Sequence, residues 1–180
     1  MKDKSTNKTH RELIDLSVII VNYKSWVHLQ NCLKSLNDIS QDNLTFEVIV
    51  VDNNSNDNKL DTFSKQFNQF KFISNSGNNG FSNGNNIGVS HSKGEFLLFL
   101  NPDTIVTKDA ILAMLLLARE NLNYGIISCS KTNFEGKSEK EIRFFPKIAT
   151  LFGTFRFFYK LKNKQKILEI DAKEGDIIIF

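Results

Sequence analysis

The chain has 180 residues, 41% of them apolar and 24% charged, which is the composition of an ordinary water-soluble globular domain. The net charge of +3 is too small to indicate nucleic acid as a partner, and no apolar stretch approaches the length of a membrane-spanning helix. The polar residues 1–14 lack the apolar segment of a secretory signal and are predicted to be a flexible lead-in. Two distant cysteines, Cys32 and Cys129, lie in apolar runs and predict buried thiols in a reducing cytosol.

Strand and helix patterns alternate along the first three quarters of the chain. Apolar, β-branched runs predict strands at 16–21, 46–51, 70–73, 95–100 and 125–129. Apolar residues at three- and four-residue spacing predict helices at 25–38, 58–68 and 108–121. The Gly/Asn-rich segment 75–88 is interpreted as a loop, followed by a weak helix through 89–91. Such βα repeats predict an α/β fold, a mostly parallel central sheet with helices on both faces.

Polar clusters follow three of the predicted strands: Asn22-Tyr23-Lys24, Asp52-Asn53-Asn54 and Asn101-Pro102-Asp103. Ligands of open α/β sheets bind beyond the carboxyl ends of the strands, where these clusters fall. An acid after the second strand can accept hydrogen bonds from a ribose hydroxyl or a base N–H. An Asp at a strand exit can ligate Mg²⁺ or Mn²⁺ and so bridge to diphosphate oxygens. Pro102 restricts the backbone before Asp103.

Each cluster also has a plain structural interpretation. Asp52 can be a loop or cap residue, segment 75–88 can be a flexible loop, and Asn101 to Thr104 can be a turn whose Asp103 or Thr104 caps the next helix. Three such clusters at successive strand exits favour a binding site over coincidence.

Four runs carry a family resemblance: 17–23 (SVIIVNY), 50–55 (VVDNNS), 78–82 (NNGFS) and 100–104 (LNPDT). Together they resemble the inverting family 2 glycosyltransferases of the GT-A fold, most closely the rhamnosyltransferase-like branch. The resemblance covers residues 15–130, and it implies a Rossmann-like domain that binds a nucleotide-diphosphate sugar, such as a UDP- or dTDP-sugar. Residues 131–180 would then begin the acceptor side, with an incomplete final strand and an apparent truncation at the C-terminus.

The resemblance also implies roles for individual residues. Val21 and Tyr23 would line the base pocket, and Asp52 would bind the base or ribose. Asp103 matches the last carboxylate of the D-x-D motif and would hold Mn²⁺ or Mg²⁺, whereas Asn101 replaces the first Asp with a neutral, poorer ligand. The full set of implied donor-binding residues is Val21, Tyr23, Asp52, Asn54, Asn79, Gly80, Asn85, Asn101 and Asp103.

The implied reaction is transfer of a sugar, with inversion, to a glycan or polyprenyl-linked acceptor in surface polysaccharide synthesis. A carboxylate general base deprotonates the acceptor hydroxyl, and in similar proteins it follows the segment that corresponds to 175–178. No matching acidic motif precedes Phe180, so we expect the base beyond that residue and a donor-binding half in this chain. A non-catalytic nucleotide-binding or interaction module is the alternative. A nucleotidyltransferase is disfavoured because no Gly-rich, basic signature follows the first strand.

Residues 143–166 contain seven Lys/Arg, no acidic residue and six of the sixteen Phe. Their apolar residues recur at helical spacing and predict an amphipathic helix. It could lie on an anionic membrane surface near a lipid-linked acceptor, which would make the protein peripheral at the inner face of the cell membrane. The favoured alternative is that it packs against the sheet or against a further part of the protein, whereas nucleic-acid binding is not favoured. Co-sedimentation with anionic vesicles at low salt separates these interpretations.

Overall fold

The computed structural model describes residues 14–39, 44–129, 131–132, 138–139 and 177–179. Its strands are β1 Leu16–Asn22, β2 Phe46–Asp52, β3 Lys71–Ser74, β4 Phe96–Leu100, β5 Ile127–Ser128, β6 Lys131–Thr132, β7 Ser138–Glu139 and β8 Ile177–Ile179. Its helices are α1 Trp26–Asn37, α2 Lys59–Gln66, α3 Phe81–Ser90 and α4 Lys108–Glu120. The predicted strands and the predicted helices at 25–38, 58–68 and 108–121 agree with these bounds to within a few residues.

The main sheet has the strand order β3-β2-β1-β4-β8-β5. Strands β1 to β4 pair in parallel, and β8 runs antiparallel between β4 and β5. The prediction of a mostly parallel α/β sheet is therefore confirmed. The chain builds β2 and β3 on one side of β1 and then crosses to place β4 on the other side. This reversal is a topological switch point, where open α/β sheets leave a crevice at their carboxyl edge.

Successive side chains of β1 point to opposite faces of the sheet, and both faces are covered. Val18 and Ile20 join the apolar cluster formed with α1 and α4. Ile19 and Val21 face α3 on the other side, where they lie against its glycines. All seven residues of β1 are buried, as expected of a strand with helices on both faces.

Helix α3 corrects the prediction for the Gly/Asn-rich segment. It starts at Phe81, inside the segment interpreted as loop, and not at Val89. Gly84 and Gly88 share one helical face, and a Cβ at either position would lie 2.7 Å from Val21 Cγ1 or 2.4 Å from Ile19 Cγ2. The glycines therefore allow the helix to approach β1 closely, and this packing outweighs their poor helix propensity of about 1 kcal/mol each.

Strands β6 and β7 pair antiparallel in a separate two-stranded sheet. Two smaller predictions are also settled. Helix α4 is capped by Thr107, whose hydroxyl accepts a hydrogen bond from Ala110 N, and not by Asp103 or Thr104. Cys32 and Cys129 are buried free thiols, as predicted.

Among the described residues no helix is both long and apolar enough to cross a bilayer. The amphipathic segment 143–166 and residues 1–13 of the lead-in 1–14 fall outside the described part of the chain.

Substitution Gly88→Ala tests the close packing of α3 on β1. We expect the free energy of unfolding in urea to fall by about 1–3 kcal/mol, because the new methyl group overlaps Ile19 in a packed core. Gly125→Ala is the matched control, since a Cβ there meets nothing within 4 Å. The control should change stability by no more than about 0.5 kcal/mol. Equal stability of the two variants would contradict this packing.

Candidate functional site

The carboxyl edge of the sheet is fixed by backbone hydrogen bonds that continue beyond the strands. Asn53 N donates to Asn22 O at 2.8 Å, and Asn75 N donates to Asp52 O at 2.9 Å. The segments that leave β1, β2 and β3 are thereby aligned side by side. The polar clusters predicted after the first two strands do meet at one edge.

Asp52 is 5% exposed, and its carboxylate accepts three hydrogen bonds. The donors are Asn22 Nδ2 at 3.1 Å, Ser55 N at 3.1 Å and Ser55 Oγ at 2.5 Å. Ser55 Oγ also accepts from Lys24 N at 2.8 Å, so the turn after β1 is tied to the turn after β2. Because a carboxylate offers about four acceptor sites, most of the capacity of Asp52 serves the fold.

A chain of asparagine amides extends this edge towards α3. Asn75 Nδ2 donates to Asn53 Oδ1 at 2.7 Å and to Asn83 Oδ1 at 3.0 Å. Asn53 Nδ2 in turn donates to Asn78 Oδ1 at 2.7 Å and to Gly80 O at 3.4 Å. None of these four asparagines is among the predicted site residues. The sequence signals them only by the density of Asn in 53–58 and 75–86, which does not indicate which amides pair.

A depression of about 200 Å³ opens beside Asp52, between the ends of β2 and β3 and the start of α2. Its floor and walls contain three acidic residues and no Lys or Arg, so it offers acceptors to the N–H and O–H groups of a ligand. Trp26 stiffens one wall, because its Nε1 donates to Asp57 Oδ2 at 2.6 Å and its ring lies 4.8 Å from that of Phe63. The lining residues are Asp52, Asn54, Asn56, Asp57, Asn58, Leu60, Asp61 and Ser74.

Asn54 lies in this depression with a left-handed backbone, φ 64°, a conformation that asparagine tolerates better than most residues. Tyr23 is 47% exposed at the end of β1, with Lys24 Nζ 5.3 Å from its ring centroid. Val21 is 6% exposed because its side chain lies beneath α3. Tyr23 and Asn54 are thus open to a ligand at this edge, whereas Val21 contributes mainly to the packing below it.

The predicted residues around the start of α3 differ in exposure. Asn79 and Gly80 are exposed immediately before the helix, and Gly80 has a left-handed φ of 90°. Asn85, on the first half of the helix, has a buried Oδ1 that forms no hydrogen bond within the described part of the chain. A buried amide oxygen without a partner is costly, which marks this position as one that a ligand or water can satisfy.

Residues 101–104 form a turn that leaves β4 beside the end of β1. Thr104 N donates to Asn101 O at 3.1 Å, so residues 101–104 form a hydrogen-bonded turn with Pro102 at its second position. Asp103 does not have a positive φ, which excludes type II. Asp103 is exposed, whereas Thr104 is 2% exposed and anchors the turn. Strands β1 and β4 pair up to Ile20 and Leu100, so this turn flanks the switch point.

A single carboxylate at this turn suits a cation that takes most of its ligands from elsewhere. Among the described residues no group of three His, Cys, Asp or Glu side chains could hold a metal ion. Asp103 and the half-buried Asn101 supply hard oxygen donors at the edge of the crevice. Mg²⁺ keeps several waters and is commonly bound by one or two carboxylates plus substrate phosphates, which matches this donor set.

Cys32 of α1 lies beneath the turn and is fully buried, with its Sγ 3.9 Å from Asn101 O. Burial raises the pKa of the Cys32 thiol from 9.0 to about 12, and the negative charge of Asp103 adds to that increase. The thiol therefore stays protonated at neutral pH, and its S–H can donate to the carbonyl above it.

A mostly parallel sheet with a switch point, an acceptor-rich depression beyond β2 and an exposed carboxylate beyond β4 is the arrangement of an open α/β protein with a ligand crevice at the carboxyl edge of its sheet. The model of Glycosyl transferase family 2 matches residues 17–175. The chain belongs to this family.

Several proteins are similar to the chain over most of its length. The low-salt glycan biosynthesis hexosyltransferase Agl10 of Haloferax volcanii is 35% identical over 128 residues, which are 69% of this chain and 39% of that protein. The uncharacterized glycosyltransferase YfnE of Bacillus subtilis is 33% identical over 172 residues, 90% of this chain and 41% of that protein. The chain thus spans about two fifths of the length of these relatives.

Solved structures of S. aureus TarS show the same fold. One matches with a TM-score of 0.59 and 25% identity, covering 71% of this chain and 39% of TarS residues in that structure. A complex of TarS with UDP-GlcNAc matches with a TM-score of 0.56 and 25% identity, covering 74% of this chain and 37% of the other. These matches confirm the predicted family and fold class.

The raised pKa of Cys32 predicts a pH-dependent stability. The thiol of the unfolded chain ionises near pH 9.0 and that of the folded chain near 12, so its contribution is complete below pH 9.0 and declines as the pH rises towards 12. We expect a slope of at most about 1.4 kcal/mol per pH unit from this group in urea unfolding. Cys32→Ala should lose this slope relative to the wild type. A slope in Cys32→Ala equal to that of the wild type between pH 9.0 and 12 would refute the shift.

Proposed function

We propose that this chain binds a nucleotide-diphosphate sugar along the carboxyl edge of β1, β2 and β4. The protein to which it belongs would transfer the sugar to a glycan or polyprenyl-linked acceptor with inversion. One observation supports this most strongly: an acceptor-rich depression beyond β2 and β3 and an exposed carboxylate beyond β4 lie at the same carboxyl edge of the sheet, on either side of β1. The complex of TarS with UDP-GlcNAc, on a similar fold, supports the donor class.

In this proposal the depression beside Asp52 receives the base and ribose. Asn54 and the carboxylates of the lining accept hydrogen bonds from base N–H and ribose hydroxyl groups, and exposed Tyr23 offers an aromatic face for stacking. The bonds made by Asp52 to Asn22 and Ser55 fix its orientation, leaving the remaining acceptor site for the ligand. Val21 contributes through the packing of α3 on β1 beneath this edge.

The diphosphate and sugar would lie between α3 and the turn after β4. Asn79, Gly80 and Asn85 border this space, and the unpartnered Asn85 amide oxygen can accept a bond from a sugar hydroxyl. Asp103, with Asn101 beside it, would hold Mn²⁺ or Mg²⁺. When bound, such a cation neutralises charge that develops on the leaving diphosphate. The fixed turn keeps the Asp103 carboxylate in place, so little reorganisation is needed when donor binds.

Activation of the acceptor needs a general base, and no described residue is assigned that role. The assignment to the rhamnosyltransferase-like branch rests on the Asn101-Pro102-Asp103 run and belongs to this proposal. The contact of 143–166 with an anionic membrane surface likewise stays a prediction.

Calorimetry with UDP tests the proposal directly. UDP should bind the chain, and Mn²⁺ should tighten binding through Asp103. We expect Asp103→Ala to abolish the Mn²⁺-dependent part of the affinity, a loss of about tenfold or about 1.4 kcal/mol, while binding of UDP alone is unchanged.

The control is Glu120→Ala, which removes an exposed carboxylate at the far end of α4 and should behave as wild type. Mn²⁺-dependent binding that survives in Asp103→Ala would show that the metal assignment is wrong. Parallel titrations with dTDP and GDP identify the base.

A further inference from the structure

Helix α1 contacts the turn after β4 at two points, one near each end of the segment from Asn101 to Val106. Ser35 Oγ accepts a hydrogen bond from Val106 N at 3.2 Å. One helical turn earlier, Cys32 Sγ lies 3.9 Å from Asn101 O. The helix therefore contacts the backbone both before and after Asp103.

These two contacts are coupled to each other and to the turn itself. Ser35 Oγ donates to Cys32 O at 2.7 Å, so one hydroxyl joins the helix backbone to Val106. Asn101 O accepts from the Cys32 thiol and also from Thr104 N, the bond that closes the turn. Cys32 thus contacts the carbonyl on which the shape of the turn depends.

The burial of the segment is consistent with anchoring from below. Thr104 is 2% and Val106 4% exposed, whereas Asp103 between Pro102 and Thr104 is exposed. Pro102 restricts the backbone on the preceding side. The segment thus presents Asp103 to solvent while its flanking residues are fixed on α1 and in the core.

The hydrogen bond of Ser35 to its own helix is an ordinary local contact. Ser64 of α2 makes the same bond, from its Oγ to Asp61 O at 3.0 Å. Ser35 differs because its hydroxyl also accepts from a backbone N–H of another segment, 71 residues away in the chain. Ser64 is therefore a matched control that has the local bond without the long-range one.

We propose that Ser35 and Cys32 are positioning residues for Asp103, through which α1 sets the place of the carboxylate in the donor site. This inference rests on the proposed function, in which Asp103 binds a divalent cation against the donor diphosphate. A site of this kind needs its ligand held to within about 0.5 Å of the productive geometry. Neither side chain touches the donor, so their effect should appear only in metal-dependent binding.

Calorimetry of UDP with and without Mn²⁺ tests the functional part in the 180-residue chain. Ser35→Ala should weaken UDP binding in Mn²⁺ by about three- to tenfold, the factor expected for loss of one hydrogen bond. Binding of UDP alone should not change, and Ser35→Thr, which keeps the hydroxyl, should restore the wild-type value. Cys32→Ala should act in the same direction with a smaller effect, because a thiol is a weak donor. The controls Ser64→Ala and Cys129→Ala should match wild type.

A double-mutant cycle separates positioning from a general loss of stability. In the Asp103→Ala background, Ser35→Ala should cause no further loss of binding, since the group that it positions is gone. An equal loss in both backgrounds, or an equal loss with and without Mn²⁺, would overturn the positioning role. Retention of full Mn²⁺-dependent binding by Ser35→Ala would also overturn it.

Hydrogen exchange tests the anchoring contact without any ligand. Exchange of the Val106 amide should be at least about tenfold faster in Ser35→Ala than in Ser64→Ala, because its acceptor is lost. Unchanged exchange would overturn the inference whatever the calorimetry shows. If exchange accelerates but the wild type shows no response to Mn²⁺, the metal role of Asp103 fails, and with it the positioning function. Failure of UDP binding as a whole would instead count against the proposed donor site.

Discussion

The carboxyl edge of the sheet depends on the buried carboxylate of Asp52. A buried charge is costly unless hydrogen bonds satisfy it, and here the donors come from Asn22 at the end of β1 and Ser55 in the following loop. Asn22 also accepts from Ser25 N, so the same side chain fixes the approach to α1. Because α1 in turn contacts the segment after β4, the exits of three strands are mechanically connected. Loss of the Asp52 interactions would therefore disturb the whole edge.

The close approach of α3 to β1 is the second constraint. Glycine at 84 and 88 lets the helix lie directly on Val21 and Ile19, which sets the height of the helix start above the sheet. That start carries Gly80 and Asn83 to the amide network, where Asn53 and Asn75 bond to them. The segment before α3 thus combines backbone exposure at Gly80 with a fixed position, a combination suited to a ligand that must be approached closely.

Most of the sheet could be predicted from the sequence, because buried parallel strands contain short runs of β-branched residues. Helix α4 could be predicted because its apolar residues recur at helical spacing. Helix α3 could not, since helix propensity disfavours its glycines and only the close contact with Ile19 and Val21 explains them. The antiparallel position of β8 depends on long-range pairing that a local pattern does not encode.

At the carboxyl edge, the sequence correctly predicted that Asp52 and Asp103 lie at strand exits. The pairing of Asn53 with Asn75 and Asn78, in contrast, depends on tertiary geometry. The support of the turn by Ser35 was likewise invisible, because an ordinary helix serine carries no signal for a partner 71 residues away.

Backbone amide chemical shifts, followed during titration with UDP and Mg²⁺, test the central claim most directly. A donor site at the carboxyl edge predicts the largest changes at Asn54, Gly80 and Asp103, with little change at Lys93 to Phe96, where β4 enters the sheet from the opposite edge. Changes concentrated at Lys93 to Phe96, or none anywhere at saturating UDP, would contradict the account.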